Sequence, residues 1–225
     1  MTDKIITIDG PSGVGKGTLA RYLAAYLNWC LLDSGAIYRA LAYFSNVCGI
    51  DSNNVNALSE AALNLPVSFL SKGGETRVII DKKDVTDFIR AESVGMLASK
   101  ISAYQPVRDS LMKLQQSFNR GDGLIADGRD MGTIVFPNAQ VKLFLDAASE
   151  LRAKRRYQQL TRQGVVVDEK AILEQVIQRD HQDRNRQVAP LIPATDAVII
   201  DTSSLNIDQV QQKALEILKK NAICC

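Results

Sequence analysis

Lys4–Leu27 reads "KIITIDGPSGVGKGTLARYLAAYL". Its opening, Lys4 to Asp9, is an apolar run fit for a short buried strand. Gly10 to Thr18 is a glycine-rich turn, and the Ala- and Leu-rich remainder reads as a helix. Strand, glycine turn and helix in that order predict an α/β unit whose helices cover a parallel sheet. Further out, Leu124–Ala126, Val141–Leu145 and Ala197–Ile200 fit additional central strands, and each closes on an aspartate: Asp127, Asp146 and Asp201. Ligands of open parallel sheets bind beyond the carboxyl ends of the strands, although an ordinary solvated turn uses Asp as well.

Gly10 to Thr18, "GPSGVGKGT", carries the first chemical signal. Gly10, Gly13, Gly15 and Gly17 let successive N–H groups converge on an anion. The helix start adds partial positive charge, and Lys16 can reach between the outer phosphates of a nucleoside triphosphate. The whole segment Gly10, Pro11, Ser12, Gly13, Val14, Gly15, Lys16, Gly17 and Thr18 is therefore the expected ATP-binding loop. Gly17 stands where a strict P-loop places the Ser or Thr that ligates Mg²⁺, and Thr18 comes one residue later. The expected Mg²⁺ is thus held largely by phosphates and waters, with Asp9 and Asp127 as candidate helpers through water. No protein-held metal site is expected.

Between about Asn56 and Gly95 the βα rhythm breaks. "VSFLSKGGETRVIIDKKDVTDFI" has two strand-like runs separated by Ser-Lys-Gly-Gly and a further turn at Asp81 to Asp84, a small antiparallel insert. A helix over Ile89–Tyr104 follows, then another begun by Pro106. Ser149 can cap a helix through "ELRAKRRYQQLTRQ" that Gly164 stops, Asp168 begins another, and Ile207–Lys220 forms the last.

The 225 residues suffice for a substantial core, and 46% hydrophobic with 23% charged residues is ordinary for a globular protein. A net charge of +2 neither favours nor excludes a polyanion partner. Cys30, Cys48, Cys224 and Cys225 lack zinc-ligand spacing, and Cys30 and Cys48 read as small reduced core residues. The only histidine, His181, reads as solvated surface. "MTDK" runs straight into "IITI", without a charged leader and signal core, and no segment has the apolar length of a bilayer span, so a cytoplasmic location is expected.

A triphosphate loop alone does not separate a hydrolytic switch from a kinase, and the arginines bear on that choice. Arg39 lies in "LLDSGAIYRA", Arg108 begins a helix, and Arg129 follows a core strand within "LIADGRDMGTIVFPNA". Arg152, Arg155 and Arg156 share one broad helix face, while Arg179, Arg184 and Arg186 gather near another helix end. Arginines hold a phosphate dianion by forked hydrogen bonds and neutralise charge on a phosphoryl group in transit. The Arg152, Arg155 and Arg156 face suits a mobile cover that closes on ATP and excludes water.

Across nearly its whole length the chain resembles the cytidylate kinase family of bacterial nucleoside monophosphate kinases. The resemblance rests on "ITIDGPSGVGKGTLA", "LLDSGAIYRA", "LIADGRDMGTIVFPNA", "KLFLDA" and "RDHQDRNRQVAPLIPATDA" in this order. It implies a P-loop three-layer α/β/α core, residues 1–55 and 96–225, with a five-stranded parallel sheet. It also implies an inserted acceptor-binding domain at 56–95 and a short lid at 153–167. The implied reaction moves the γ-phosphoryl of ATP to CMP or dCMP with Mg²⁺. Ser34 and Arg39 match the segment over the acceptor phosphate; Ser99, Arg108 and Asp130 match cytosine-reading positions. Arg129 and Arg186 match phosphate-binding arginines, Arg179 and Asp183 match sugar-binding residues, and Arg155 or Arg156 in the lid supplies the transition-state contact. With Lys16 and Arg129, these lid arginines form the implied catalytic set. The family implies a monomer acting on small molecules, with no nucleic acid, membrane or obligate protein partner.

The chemistry agrees with the implied base reading. Asp130 can accept from the cytosine amino group while Arg108 donates to N3 and O2; uracil reverses C4 and N3 and leaves buried groups unpaired. A kinase for another acceptor (UMP, AMP, shikimate or pantothenate) and an arginine-rich RNA-binding protein are the alternatives. The 6% aromatic content offers no base-stacking platform for the latter.

Overall fold

The computed structural model describes residues 4–72, 75–162 and 164–223. In chain order the elements are β1 (Ile5–Asp9), α1 (Lys16–Leu27), β2 (Cys30–Asp33), α2 (Ser34–Val47), α3 (Val55–Leu63), β3 (Val67–Lys72), β4 (Glu75–Ile80), β5 (Lys83–Asp84) and α4 (Thr86–Ile89). They continue with α5 (Glu92–Ile101), α6 (Gln105–Gln116), β6 (Leu124–Asp127), a π-helical turn (Met131–Val135), β7 (Val141–Asp146), α7 (Ser149–Arg162), α8 (Glu169–Asn185), β8 (Val198–Asp201) and α9 (Ile207–Lys220). Two compact units result, one of Met1–Leu31 with Gly121–Cys225 and one of Leu32–Arg120.

The first unit is built on a five-stranded sheet of order β2-β6-β1-β7-β8. β1 pairs in parallel with β6 and with β7, and β7 with β8. Parallel strands covered on both faces need apolar side chains in both directions, which is why β1, β6 and most of β7 are buried at every position. β8, at the edge, buries only Ile200. Ile6, Ile8, Val141, Leu143 and Leu145 meet Leu19, Ala20 and Leu23 of α1 and Val210, Ala214 and Leu218 of α9, the apolar stripes of two amphipathic helices. α1 stops at Asn28, whose left-handed backbone returns its N–H to Ala24 and Ala25. Asp168 caps α8, and Asn206 with Gln209 forms a capping box on α9.

The second unit pairs helices with the antiparallel sheet β3-β4-β5, closed by Ala36, Ala40, Val78, Ile80, Val85 and Ile89. The β3–β4 turn, Gly73 and Gly74, lies outside the described residues, as do Gln163 and the terminal Cys224 and Cys225.

Two expectations need correction. The helix expected over Ile89–Tyr104 is confined to α5, Glu92–Ile101, with Ile89 ending the short α4 and Arg90 and Ala91 separating the two. Arg39 Nη1 donates to the carbonyl of Ile89 at 2.7 Å, at the end of α4, and at 3.2 Å to that of Ala91, the N-cap of α5, which also accepts from Gly95 N–H. Cys30 and Cys48 are exposed free thiols rather than core residues.

Candidate active site

At the carboxyl end of β1 the chain must turn within a residue to pass the end of β7. Gly10 does so at φ 143°, where a Cβ would collide with the carbonyl of Leu145. Gly15, at φ 98°, is the N-cap of α1, and a Cβ placed on it would meet nothing within 4 Å. Lys16 opens the helix and folds back so that Nζ donates to Pro11 O at 2.9 Å. Ser12 O accepts from Arg152, Val14 O accepts from Thr202 Oγ1, and Thr18 is exposed in the first turn. A Cβ on Gly17 would lie 3.5 Å from Asp127 Oδ2, so the residue beside Lys16 is packed against a carboxylate and offers no hydroxyl.

Burial pushes the Lys16 ammonium down to about 7; Arg129 and Arg179 add repulsion, while Asp127 and Asp9 oppose it. The charge that the folded loop disfavours is therefore that of Lys16 itself. A polyanion such as a triphosphate favours the charged form of a lysine so placed.

Asp9, expected as a helper through water, is engaged by main-chain groups. Its two carboxylate oxygens accept the N–H groups of Met131 and Gly132, each at 2.8 Å, tying β1 to the π-helical turn that follows Arg129 and Asp130. Burial pushes its carboxyl up to about 7 against those two donors, with Asp130 adding to the rise and Lys16 opposing it. The unfolded chain releases this proton near about pH 4, so between there and about pH 7 the native state binds more protons and stability falls as pH rises. Asp9→Asn lacks this titration. Urea unfolding at pH 5 and pH 7.5 is expected to show wild type losing stability relative to Asp9→Asn; parallel losses would mean that Asp9 is ionised throughout.

Of the residues expected to hold the acceptor, the first unit carries Arg129, Asp130, Arg179, Asp183 and Arg186. Arg129 Nε donates to Asp183 Oδ2 at 2.9 Å. Burial works against both charges, but Asp183 holds the Arg129 guanidinium above its ordinary value. Arg129, with Arg179 and Arg186, holds the Asp183 carboxyl below its own. Asp183 and Asp130 are both buried, and Arg186 Nε donates to Ala189 O where the chain leaves α8.

The second unit carries Ser34, Arg39, Ser99 and Arg108. Arg108 is 3% exposed, donates to Ser102 O at 3.2 Å and lies 5.9 Å from the centre of the Tyr38 ring. Ser99 is on the preceding helix, its carbonyl accepting from Ser102 Oγ. Arg39 holds the α4–α5 break and packs against Gly95, where any Cβ would meet its guanidinium. Ser34 donates to Gln115 Oε1 at 2.7 Å, and Gln115, 1% exposed, has no counterpart among the expected site residues.

The three arginines expected to share a covering face do not act alike. Arg152 is buried and fixed, Arg155 donates to Thr202 O at 2.8 Å, and Arg156 Nη1 donates to Gln159 Oε1 at 3.0 Å. Their spacing does put them on α7 together, but the first turn is locked by an aspartate that spacing does not reveal. His181 is exposed. Among the described residues no acidic, histidine or cysteine cluster could hold a metal by itself, and no helix is long and apolar enough to cross a membrane.

A sequence model of the family described as cytidylate kinase matches residues 6–220. Cytidylate kinase 1 of Haemophilus influenzae is 50% identical over 97% of this chain and 95% of its own. The cytidylate kinase of Yersinia pestis strain Pestoides F is 51% identical over 94% and 92%. A solved gluconokinase from Sinorhizobium meliloti 1021 aligns over 99% of this chain and 95% of its own at 14% identity and TM-score 0.47, too distant to bear on the acceptor. With a glycine loop and lysine at the end of β1, an arginine set around them and half of all positions shared over nearly full length, the chain belongs to the cytidylate kinase family.

Proposed function

We propose that this chain transfers the γ-phosphoryl group of ATP to CMP or dCMP, releasing ADP and CDP or dCDP. The observation that carries the reading is the glycine loop at the end of β1, where Lys16 opens α1 and folds back onto Pro11 O with Arg129 and Arg179 bearing on its charge. An acceptor phosphate oxygen, already ionised near neutral pH, attacks the γ-phosphorus as its bond to the bridging oxygen breaks. No protein base is needed, and catalysis reduces to holding both phosphates in line and offsetting charge on the moving group. Lys16 and Arg129 are the groups assigned to that task, with Arg155 or Arg156 completing it from a lid at 153–167. Arg155, bonded to Thr202, must exchange that partner to take part.

The donor loop is Gly10 to Thr18. For the acceptor we assign Arg129, Asp130, Arg179, Asp183 and Arg186 of the first unit and Ser34, Arg39, Ser99 and Arg108 of the second, with 56–95 as the inserted acceptor-binding domain. Mg²⁺ fits the donor set only as an ion carried by ATP. Gly17 supplies no ligand, Asp9 is committed to two N–H groups, and Asp127 is the carboxylate beside the loop. Such an ion would neutralise phosphate charge. The enzyme is proposed to work as a cytoplasmic monomer on free nucleotides.

A coupled ADP-release assay across CMP, dCMP, UMP, AMP and GMP tests the reading. CMP and dCMP are expected to give the highest kcat/KM. Equal rates with CMP and AMP would sink the cytosine assignment.

A further inference from the structure

We propose that Arg152 and Asp180 are a positioning pair coupling the phosphate loop to the arginine-bearing end of α8, so that occupation of the donor loop and of the acceptor residues on α8 strengthen one another. The proposal rests on the kinase reading above. Arg152 lies in the first turn of α7, is 2% exposed and distributes its guanidinium over three partners. Nε donates to Ala147 O at 2.9 Å, at the end of β7. Nη1 donates to Ser12 O at 3.0 Å, inside the glycine loop, and to Asp180 Oδ1 at 3.0 Å; Nη2 donates to Asp180 Oδ2. The loop also runs against the stem of this side chain, since a Cβ on Gly13 would sit 3.2 Å from Arg152 Cβ.

Asp180 is followed one turn later by Asp183, on the same side of the helix. Asp183 accepts Arg129 Nε at 2.9 Å, and Arg179 directly precedes Asp180. Hydrogen bonds therefore run from the Ser12 carbonyl through Arg152 to Asp180, and one turn of helix backbone joins Asp180 to Asp183, which is bonded to Arg129. A forked arginine–carboxylate pair fixes orientation as well as distance, and a helical turn transmits displacement rather than absorbing it. Shifting Ser12 as the loop closes on phosphates thus moves the carboxylate that aims Arg129. Neither Arg152 nor Asp180 needs to touch a nucleotide for this.

Calorimetric titration of a non-hydrolysable ATP analogue, with and without CMP, reads the coupling, which must be equal in the reciprocal titration. In wild type, CMP is expected to tighten the analogue by about fivefold or more. Asp180→Asn is expected to bind each nucleotide alone within about threefold of wild type, to bring the coupling factor near one, and to lower kcat by roughly tenfold. Because Asp180→Asn leaves Arg152 buried without its counter-charge, Arg152→Met combined with Asp180→Asn serves as the second variant and is expected to show the same loss. Variants that keep the wild-type coupling factor, or that lose binding of each nucleotide by itself, would make the pair a mere strut and overturn the proposal, as would a wild type without coupling. Failure of wild type to phosphorylate CMP overturns the kinase reading itself, a result separable from all of these.

Discussion

Lys16→Ala is expected to lower kcat for CMP phosphorylation by about 100- to 1000-fold while leaving the thermal midpoint close to that of wild type. The loss follows from position. Lys16 is the first residue of α1, behind a left-handed Gly15 and folded over the loop, and in the proposed reaction its side chain meets the outer phosphates of the triphosphate. Charge on a phosphoryl group in transit is offset best by cations already in place. Stability should hold because the loop is shaped by other means. Gly10 turns it, Arg152 grips Ser12 O, and Thr202 meets Val14 O. Burial already disfavours the charged lysine, so its removal costs the fold the Pro11 contact and relieves repulsion from Arg129 and Arg179. Initial rates with saturating CMP, beside a circular-dichroism melt, check both halves. Turnover near the wild-type value would remove Lys16 from the phosphate-handling role.

What could be read from the chain alone is what local order encodes. The glycine loop, the strands closing on Asp127, Asp146 and Asp201, the hairpin in the insert and the helix over Ile207–Lys220 all announce themselves within windows of a few to fourteen residues, through period and turn chemistry. The groups that organise the site do not. Asp9 reaches Met131 and Gly132 across 122 and 123 positions, Ser34 meets Gln115 across 81, and Arg152 finds Asp180 across 28. A buried polar side chain is chosen for the partner that satisfies it, and that partner is set by the packing of separate elements. Arg152, Arg155 and Arg156 show the limit clearly. Helical spacing gives them one face, but whether each is fixed or mobile depends on Asp180 and Thr202, which belong to other elements. The gap at Arg90 and Ala91 is similar: no proline or glycine marks it, and the side chain that donates to the carbonyls on either side, Arg39, belongs to α2.

Asp130→Asn is expected to cut the ratio of kcat/KM for CMP over UMP by roughly 5- to 150-fold, the equivalent of one well-placed discriminating pair worth about 1–3 kcal/mol. A carboxylate can only accept. In the assignment made here it faces the amino group that cytosine presents at C4, where uracil presents a carbonyl, so UMP sets two acceptors against each other. An asparagine amide can turn its NH₂ toward that carbonyl, recovering UMP while weakening CMP. The substitution keeps volume at a residue 3% exposed, and the turn around it is held by main-chain groups. Asp130 O accepts from Ile134 and Val135, and Asp9 retains the N–H groups of Met131 and Gly132. The fold should therefore survive, and the readout is specificity rather than rate: kcat/KM for both nucleotides in both proteins, with a melt of each. A fall in both that leaves the ratio unchanged would mean that Asp130 orders its neighbours instead of reading the base. Should the ratio invert, the acceptor preference of this site resides largely in one carboxylate placed by two main-chain hydrogen bonds to Asp9.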